Sequence, residues 1–481
     1  GTVVDYAATS LDVVTGPGNM YTLDMDGDES ELIRASGNLT LDVAGFFLVS
    51  GGFAFERSSD SVVLDDGSNV FVDLLTIGGS GVNAFAGLNS GTADELGLSL
   101  GAVDFAIALL ADQTDSSRKW LSLEALAGSV AMAGISGLTL AGDIISVEIN
   151  QAAGDGTVVN YAAQNLDVVT GPGTTLTLDM DGSLGELIRA SGNLTLSVVD
   201  FFYVSGGFAF EKSSSQVTLI EGEVVNVDLL TIGGVGVNAF AGINGGTTNA
   251  LGLVLGNVTF ALAMLTDKSL ASRKWLAMEA YAGTAAFIGI DGLSIAGDTL
   301  HVEVNRAAAS DGSLVDFSAQ NMVVATGPGS TLILTMDASK GELTKASGNL
   351  ELDVFGFFYV SGGFGFEKSI GNVTLDDTSV VSVDQLLLGG DGVEAFVGLN
   401  GGTADPFGLG MSDVDFGFAL LSEHSDASRA WVSLQALAGA VVFTGVTGLV
   451  ISADTLAVAI NRAAEDGTVV DFLTQNLEIT T

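Results

Sequence analysis

Carboxylates spaced two apart around a glycine are the residues here best suited to chemistry. Asp24, Asp26 and Asp28 alternate through Asp24-Met25-Asp26-Gly27-Asp28-Glu29, and Glu31 follows. Hard oxygens arranged about a tight turn suit Ca²⁺, which takes six to eight of them. A second loop, Asp179-Met180-Asp181-Gly182 with Glu186, keeps part of the pattern. A third, Thr335-Met336-Asp337-Ala338 with Glu342, keeps only the second Asp and the Glu. Asp24, Asp26, Asp28, Glu31, Asp179, Asp181 and Glu186 are thus the expected metal ligands, with Ca²⁺ as the expected ion. The competing reading is an acidic hairpin turn.

The cations are few and placed at fixed positions. Arg118, Arg273 and Arg429 each stand two residues before a tryptophan, at Trp120, Trp275 and Trp431. On a strand, i and i+2 share a face, so each guanidinium can lie over an indole. Arg34, Arg189 and Lys345 form a second set; Arg57, Lys212 and Lys368, preceded by Glu56, Glu211 and Glu367, form a third. Their expected role is structural: ion pairing with the carboxylate excess, or contact between successive copies. A sugar-binding tryptophan is the alternative. His301 and His424 have no recurring counterpart, since Ser146 and Ala457 match position 301. With no nucleophile and base recurring together, an enzyme is not expected.

These positions recur because the whole chain does. Gly1-Thr2-Val3-Val4-Asp5-Tyr6 returns at Gly156, Gly312 and Gly467, a period of about 155 residues. The organisation read from this is 1–155, 156–311 and 312–466 as three β copies, with 467–481 starting a fourth. A window cut from a longer array is the expectation. No Pro/Gly/Ser linker separates the copies, so they are expected to abut rigidly.

Within a copy, apolar and polar residues alternate, as in Asn38-Leu39-Thr40-Leu41-Asp42-Val43 and Val147-Glu148-Ile149-Asn150. That is the period of half-buried strands, and long helical stripes are missing. The pattern predicts an all-β fold with about eight strands per copy, forming an elongated rod of stacked, mainly antiparallel sheets. A β-solenoid is the alternative. Thr15-Gly16-Pro17-Gly18, Thr170-Gly171-Pro172-Gly173 and Thr326-Gly327-Pro328-Gly329 predict the same tight turn three times. Glycines on both arms of the hairpins at 35–51 and 126–142 predict bends or bulges that let one sheet fold onto another.

Composition narrows the partners. The chain has 58 acidic and 15 basic residues among 481, for a net charge of -43. Mean hydropathy is nevertheless +0.49. Such a surface repels nucleic acid and anionic membranes, and it repels itself until salt or divalent cations screen it. There is no cysteine, hence no disulfide or thiolate chemistry. No run of apolar residues is long enough for a transmembrane helix.

The strings Ala190-Ser191-Gly192-Asn193-Leu194-Thr195-Leu196, Val204-Ser205-Gly206-Gly207-Phe208-Ala209-Phe210-Glu211 and Val235-Gly236-Val237-Asn238-Ala239-Phe240-Ala241-Gly242 resemble the tandem repeats of very large bacterial surface and adhesin-like proteins. The resemblance implies an extracellular or cell-surface location and a non-enzymatic role. The expected function is a structural repeat of a stalk, filament or sheath that acts by stacking and self-association. An adhesin array binding cell-surface glycans through loops 111–117, 266–272 and 422–428 is one alternative. An outer-membrane β-barrel is another, disfavoured by three Trp and six Tyr, too few for two aromatic girdles. If the acidic loops bind Ca²⁺, chelator lowers the melting temperature and millimolar Ca²⁺ raises it. Equal effects of Ca²⁺, Mg²⁺ and NaCl at matched ionic strength would instead show general screening.

Overall fold

A computed structural model describes residues 2–29, 31–43, 47–89, 92, 94–199, 201–401, 403–479 and 481. Gly1, which opens the first copy, and Phe46, within the first hairpin, lie outside the described residues. The fold is all-β, and among the described residues there is no α-helix. The strands are β1 (Leu11–Gly16), β2 (Asn19–Leu23), β3 (Ile33–Val43), β4 (Phe47–Val63), β5 (Asn69–Leu88), β6 (Leu96–Asp112), β7 (Lys119–Ala133) and β8 (Leu138–Gln151). The same series follows as β9 (Leu166–Gly171), β10 (Thr174–Leu178), β11 (Leu187–Val198), β12 (Phe202–Thr218), β13 (Val224–Ile243), β14 (Leu251–Asp267), β15 (Lys274–Ile288) and β16 (Leu293–Arg306). It follows again as β17 (Met322–Gly327), β18 (Ser330–Leu334), β19 (Leu343–Val354), β20 (Phe358–Thr374), β21 (Val380–Leu399), β22 (Phe407–Glu423), β23 (Asp426–Thr444) and β24 (Ile451–Arg462).

Two compact units divide these strands. The first comprises Gly1–Asn193 with Glu211–Ser214, and the second Leu194–Phe210 with Ser215–Thr481. In the first unit β3 to β8 pair in chain order, each antiparallel to the next. In the second, β13 to β16 and then β19 to β24 do the same. The parallel pairing of a β-solenoid is not seen in any described ladder. Short hairpins β1–β2, β9–β10 and β17–β18 form separate two-stranded sheets, closed by the Gly-Pro-Gly turns. Gly18, Gly173 and Gly329 in those turns have φ of 79°, 74° and 66°, which a residue with a Cβ adopts only under strain.

The long strands bulge where the alternation breaks. The β5–β6 register shifts between Gly79 and Val82, and Gly81 there has φ 56°. The Asp104 carboxylate accepts the Gly81 amide at 2.8 Å, which holds the bulge in shape. Gly236 and Gly392 take the same conformation at the same place in β13 and β21.

A single twisted meander has an apolar face that it cannot bury by itself. The cover comes from the start of the following copy. In the first unit Val62, Leu64, Val72, Leu74, Ala106, Ala108, Leu110 and Trp120 of copy one pack against Val159, Tyr161, Val168, Leu178, Met180 and Leu187 of copy two. In the second unit the strands of copy two pack in the same way under Val315, Phe317, Val324, Leu334 and Met336. A third core sets Val373, Leu375, Val383, Leu421 and Trp431 under Val470, with Phe472, Leu477 and Ile479 packed against it. Single bridges Leu64–Val159, Leu219–Val315 and Leu375–Val470 pin the contact in all three. The sequence period and the packing unit are thus out of phase. Each fully buried cover residue such as Val168 or Leu178 contributes roughly 1.5–3 kcal/mol.

The cover reaches the sheet only because the sheet has glycine beneath it. A Cβ on Gly78 would lie 2.2 Å from the Val169 carbonyl oxygen, and one on Gly233 2.1 Å from that of Ala325. Both obstacles are backbone and cannot swing away. Gly233→Val should therefore lift the β17–β18 hairpin and cost about 1–3 kcal/mol or more. Gly37→Ala, with nothing within 4 Å of the new Cβ, should be close to neutral. Urea midpoints of the two variants check this; equal midpoints would refute the close-contact argument.

Candidate functional site

The joint where one copy's start enters the preceding core gathers most of the recurring polar residues. Trp120, Trp275 and Trp431 are buried at its edge. Their indole N–H groups donate to the carbonyls of Thr157, Ser313 and Thr468, each at 3.0 Å. The guanidinium of the preceding arginine lies over each ring, 5.1, 5.4 and 5.2 Å from the centroid. That is the geometry expected from the i, i+2 spacing.

Each arginine then bridges the two segments of the joint. Arg118 pairs with Asp112 at 3.0 Å on its own strand end and with Asp155 at 2.8 Å at the incoming seam. Arg273 does the same with Asp267 and Asp311, and adds Glu223 at 3.2 Å. Arg429 pairs with Glu423 and Asp466. Asp112 is held below the usual carboxylate range, first by the Thr114 hydroxyl and amide and then by the Asp115 amide and Arg118. The Thr157 hydroxyl and amide, with Arg118, do this for Asp155. The varying loops at 111–117 and 266–272 fold around the buried Asp112 and Asp267, which accept from Thr114 and Ser269, while residues 113–117 and 268–272 stay exposed.

Deeper in the joint an asparagine latches the incoming backbone. Asn150, Asn305 and Asn461 donate to the carbonyls of Val159, Val315 and Val470 at 2.7, 3.0 and 2.8 Å. In copy one Ser122 donates to Asn150 and accepts from the buried Tyr161 hydroxyl. Where copy two has Ala277 in place of Ser122, the incoming ring is Phe317, which has no hydroxyl to satisfy. Copy three keeps the serine against a phenylalanine: Ser433 donates to Asn461 and Phe472 is the incoming ring. The serine is thus satisfied without a tyrosine, whereas a buried tyrosine hydroxyl left unpaired would cost about 1–3 kcal/mol.

The acidic loops of copies two and three border a joint through Met180 and Met336. Asp26, Asp181 and Asp337 accept the backbone N–H two residues on, at 2.9, 2.8 and 2.8 Å. Each opens a single 3₁₀ turn, at Gly27–Glu29, Gly182–Leu184 and Ala338–Lys340. This capping is why the second Asp of the loop recurs. Asp24, Asp28, Glu31, Asp179 and Glu186 are exposed. Among the described residues these carboxylates do not bring three donor atoms within 4.8 Å of one another; Glu279, His301 and Glu303 do.

That second cluster was not singled out from the sequence. Glu124 faces Glu148 across β7–β8, and Glu279 faces Glu303 across β15–β16; Gln435 and Ala459 stand there in copy three. The available signal was parity: Glu124 and Glu279 lie four residues after Trp120 and Trp275, on the same buried face. Arg189 answers the copy-one pair, with Glu148 at 2.9 Å and Glu211 at 2.8 Å. Burial, helped by the charges of Asp179 and Glu148, pushes Glu124 up to about 7.

Beside the third core lies a groove of about 780 Å³, lined by Gly389, Phe416, Phe418, Leu434, Ile460 and Ile479 among others. Among the described residues no helix is long and apolar enough to cross a membrane. No protein-family profile matches the chain, and no curated protein is similar to it in sequence.

Glu124 makes a pH prediction. Its carboxyl stays protonated in the folded protein up to about 7, against 4.5 for the free group. Between those values unfolding releases a proton, so this group's contribution to stability falls as pH rises through the window. Because Glu124 is only half-buried, the effect is on the order of 1 kcal/mol after solvent screening. Glu124→Gln, which installs the residue native to copy three, should raise the melting temperature at pH 8 and leave it unchanged at pH 4. A variant no more stable than the parent at pH 8 would contradict the raised carboxyl.

Proposed function

We propose that this protein is a non-enzymatic structural repeat of a bacterial extracellular stalk, filament or sheath, and that it works by joining copies end to end. The observation that carries this reading is the joint itself. The same segment enters the same face at Leu64–Val159, Leu219–Val315 and Leu375–Val470. A contact between two different surfaces propagates where it does not close on itself, and repetition then gives length.

Copy one carries the complementary face uncovered. Val13 is 41% exposed where Val168 and Val324 are fully buried, and Met25 is 45% exposed where Met180 and Met336 are buried. The surface that fits Val13 and Met25 is another set of the same long strands. Association with a further set of these strands, in the same protein or in another molecule, is the partner reading this face supports. The net charge of -43 opposes lateral clumping and makes any side-by-side association depend on salt or divalent cations.

Sedimentation velocity over a wide concentration range, with negative-stain images of the same samples, tests the reading. Assemblies that lengthen at constant width are expected. Val13→Asp combined with Met25→Asp should cap them without changing the far-UV circular dichroism. Wild-type protein that stays a monomer throughout, or assembly that proceeds equally in the double variant, would falsify end-to-end joining through this face.

A further inference from the structure

We propose that Glu279, His301 and Glu303 bind one divalent transition-metal ion per chain, with Zn²⁺ the best match to the donor set. The donor atoms lie within 4.8 Å of one another on adjacent strands. Glu279 and Glu303 are directly opposite in the β15–β16 ladder, and His301 is opposite Tyr281, so all four side chains share one face.

The neighbours leave one free donor on each ligand. The Tyr281 hydroxyl donates to Glu279 Oε1. Glu279 Oε2 is buried and receives no hydrogen bond, in a residue only 5% exposed. His301 Nε2 is also buried without a hydrogen bond; it lies 3.4 Å from Glu279 Oε1, out of line for one. Lys345 Nζ takes Glu303 Oε2 at 3.1 Å, which leaves Oε1. Tyr281 stacks on the imidazole with centroids 4.3 Å apart and planes 4° from parallel, which fixes the ring's orientation. Two carboxylate oxygens and one imidazole nitrogen, with a fourth position for water, form a tetrahedral Zn²⁺ donor set. An imidazole among the donors favours first-row transition metals over Ca²⁺ and Mg²⁺, which select oxygen. Ligand atoms about 2.0–2.2 Å from zinc sit closer together than the present donors, so the side chains draw inward on binding.

Only copy two is complete. Copy one has Glu124, Ser146 and Glu148, and copy three has Gln435, Ala457 and Ala459. The stoichiometry is therefore one per chain although the fold recurs.

Calorimetric titration of the full chain with ZnSO₄, in excess Ca²⁺ and Mg²⁺ to saturate non-specific acidic sites, tests this. One site per chain and a raised melting temperature are expected. His301→Ser and His301→Ala install the residues native to copies one and three, so folding should persist, and circular dichroism checks it. Each should weaken Zn²⁺ binding at least ~100-fold, as should Glu279→Gln. His424→Ala and Glu124→Gln should leave it unchanged. Absence of Zn²⁺ binding in the parent chain, or binding that survives both His301 variants, would overturn the site. Neither result bears on end-to-end joining, which depends on Val13 and Met25.

Discussion

A broad antiparallel meander has two faces, and one of them here is apolar along half its length. Nothing within one copy can cover that face, because every long strand is already part of the sheet. The rest of the architecture follows from this. Leu64, Val72 and Leu110 are dry only because Val159, Val168 and Leu178 come from further along the chain to cover them. The joint is therefore a core as well as a contact. It is held by buried apolar area, by indole and asparagine hydrogen bonds to the incoming backbone, and by a bridging arginine. Glycine at Gly78 and Gly233 lets the two backbones approach closely enough for that core to close.

Scarce positive charge is placed where it does most. With 58 acidic and 15 basic residues, most carboxylates have no cation to meet. The arginines at 118, 273 and 429 sit where a carboxylate from each side of a joint converges, and where the indole beneath shields them from water. Elsewhere carboxylates satisfy themselves locally, by accepting backbone amides as Asp26, Asp181 and Asp337 do. This is why the acidic loops read as ligand sets: capping a 3₁₀ turn and coordinating a cation both ask for a short acidic side chain at a turn.

The cross-strand acidic position shows one backbone taking three chemical solutions. Copy one sets Glu124 against Glu148 and answers with Arg189. Copy two sets Glu279 against Glu303, answers with Lys345, and adds Tyr281 and His301. Copy three removes the charge with Gln435 and Ala459. A site on the core side of a rigid sheet tolerates this variation because neighbouring strands hold the backbone whichever side chains stand there.

Local chemistry was legible in the chain itself. Alternation placed the strands, including Trp120 to Gly128, where alanines could have suggested a helical turn; β7 runs straight through them. Gly-Pro-Gly marked the hairpin turns, because only glycine enters that φ without strain. The i, i+2 spacing put arginine over tryptophan, since strand geometry is the same wherever a strand forms. What the tertiary structure decided was which surfaces meet. The sequence period breaks at Gly156, yet the first core runs on to Leu187, because burial is set by which apolar faces lack a partner. Glu279, His301 and Glu303 are separated by up to 24 positions in the chain and become neighbours only through the register of β15 on β16. That register is carried along an unbroken ladder from the turn between β15 and β16, and no local pattern at the three residues reports it.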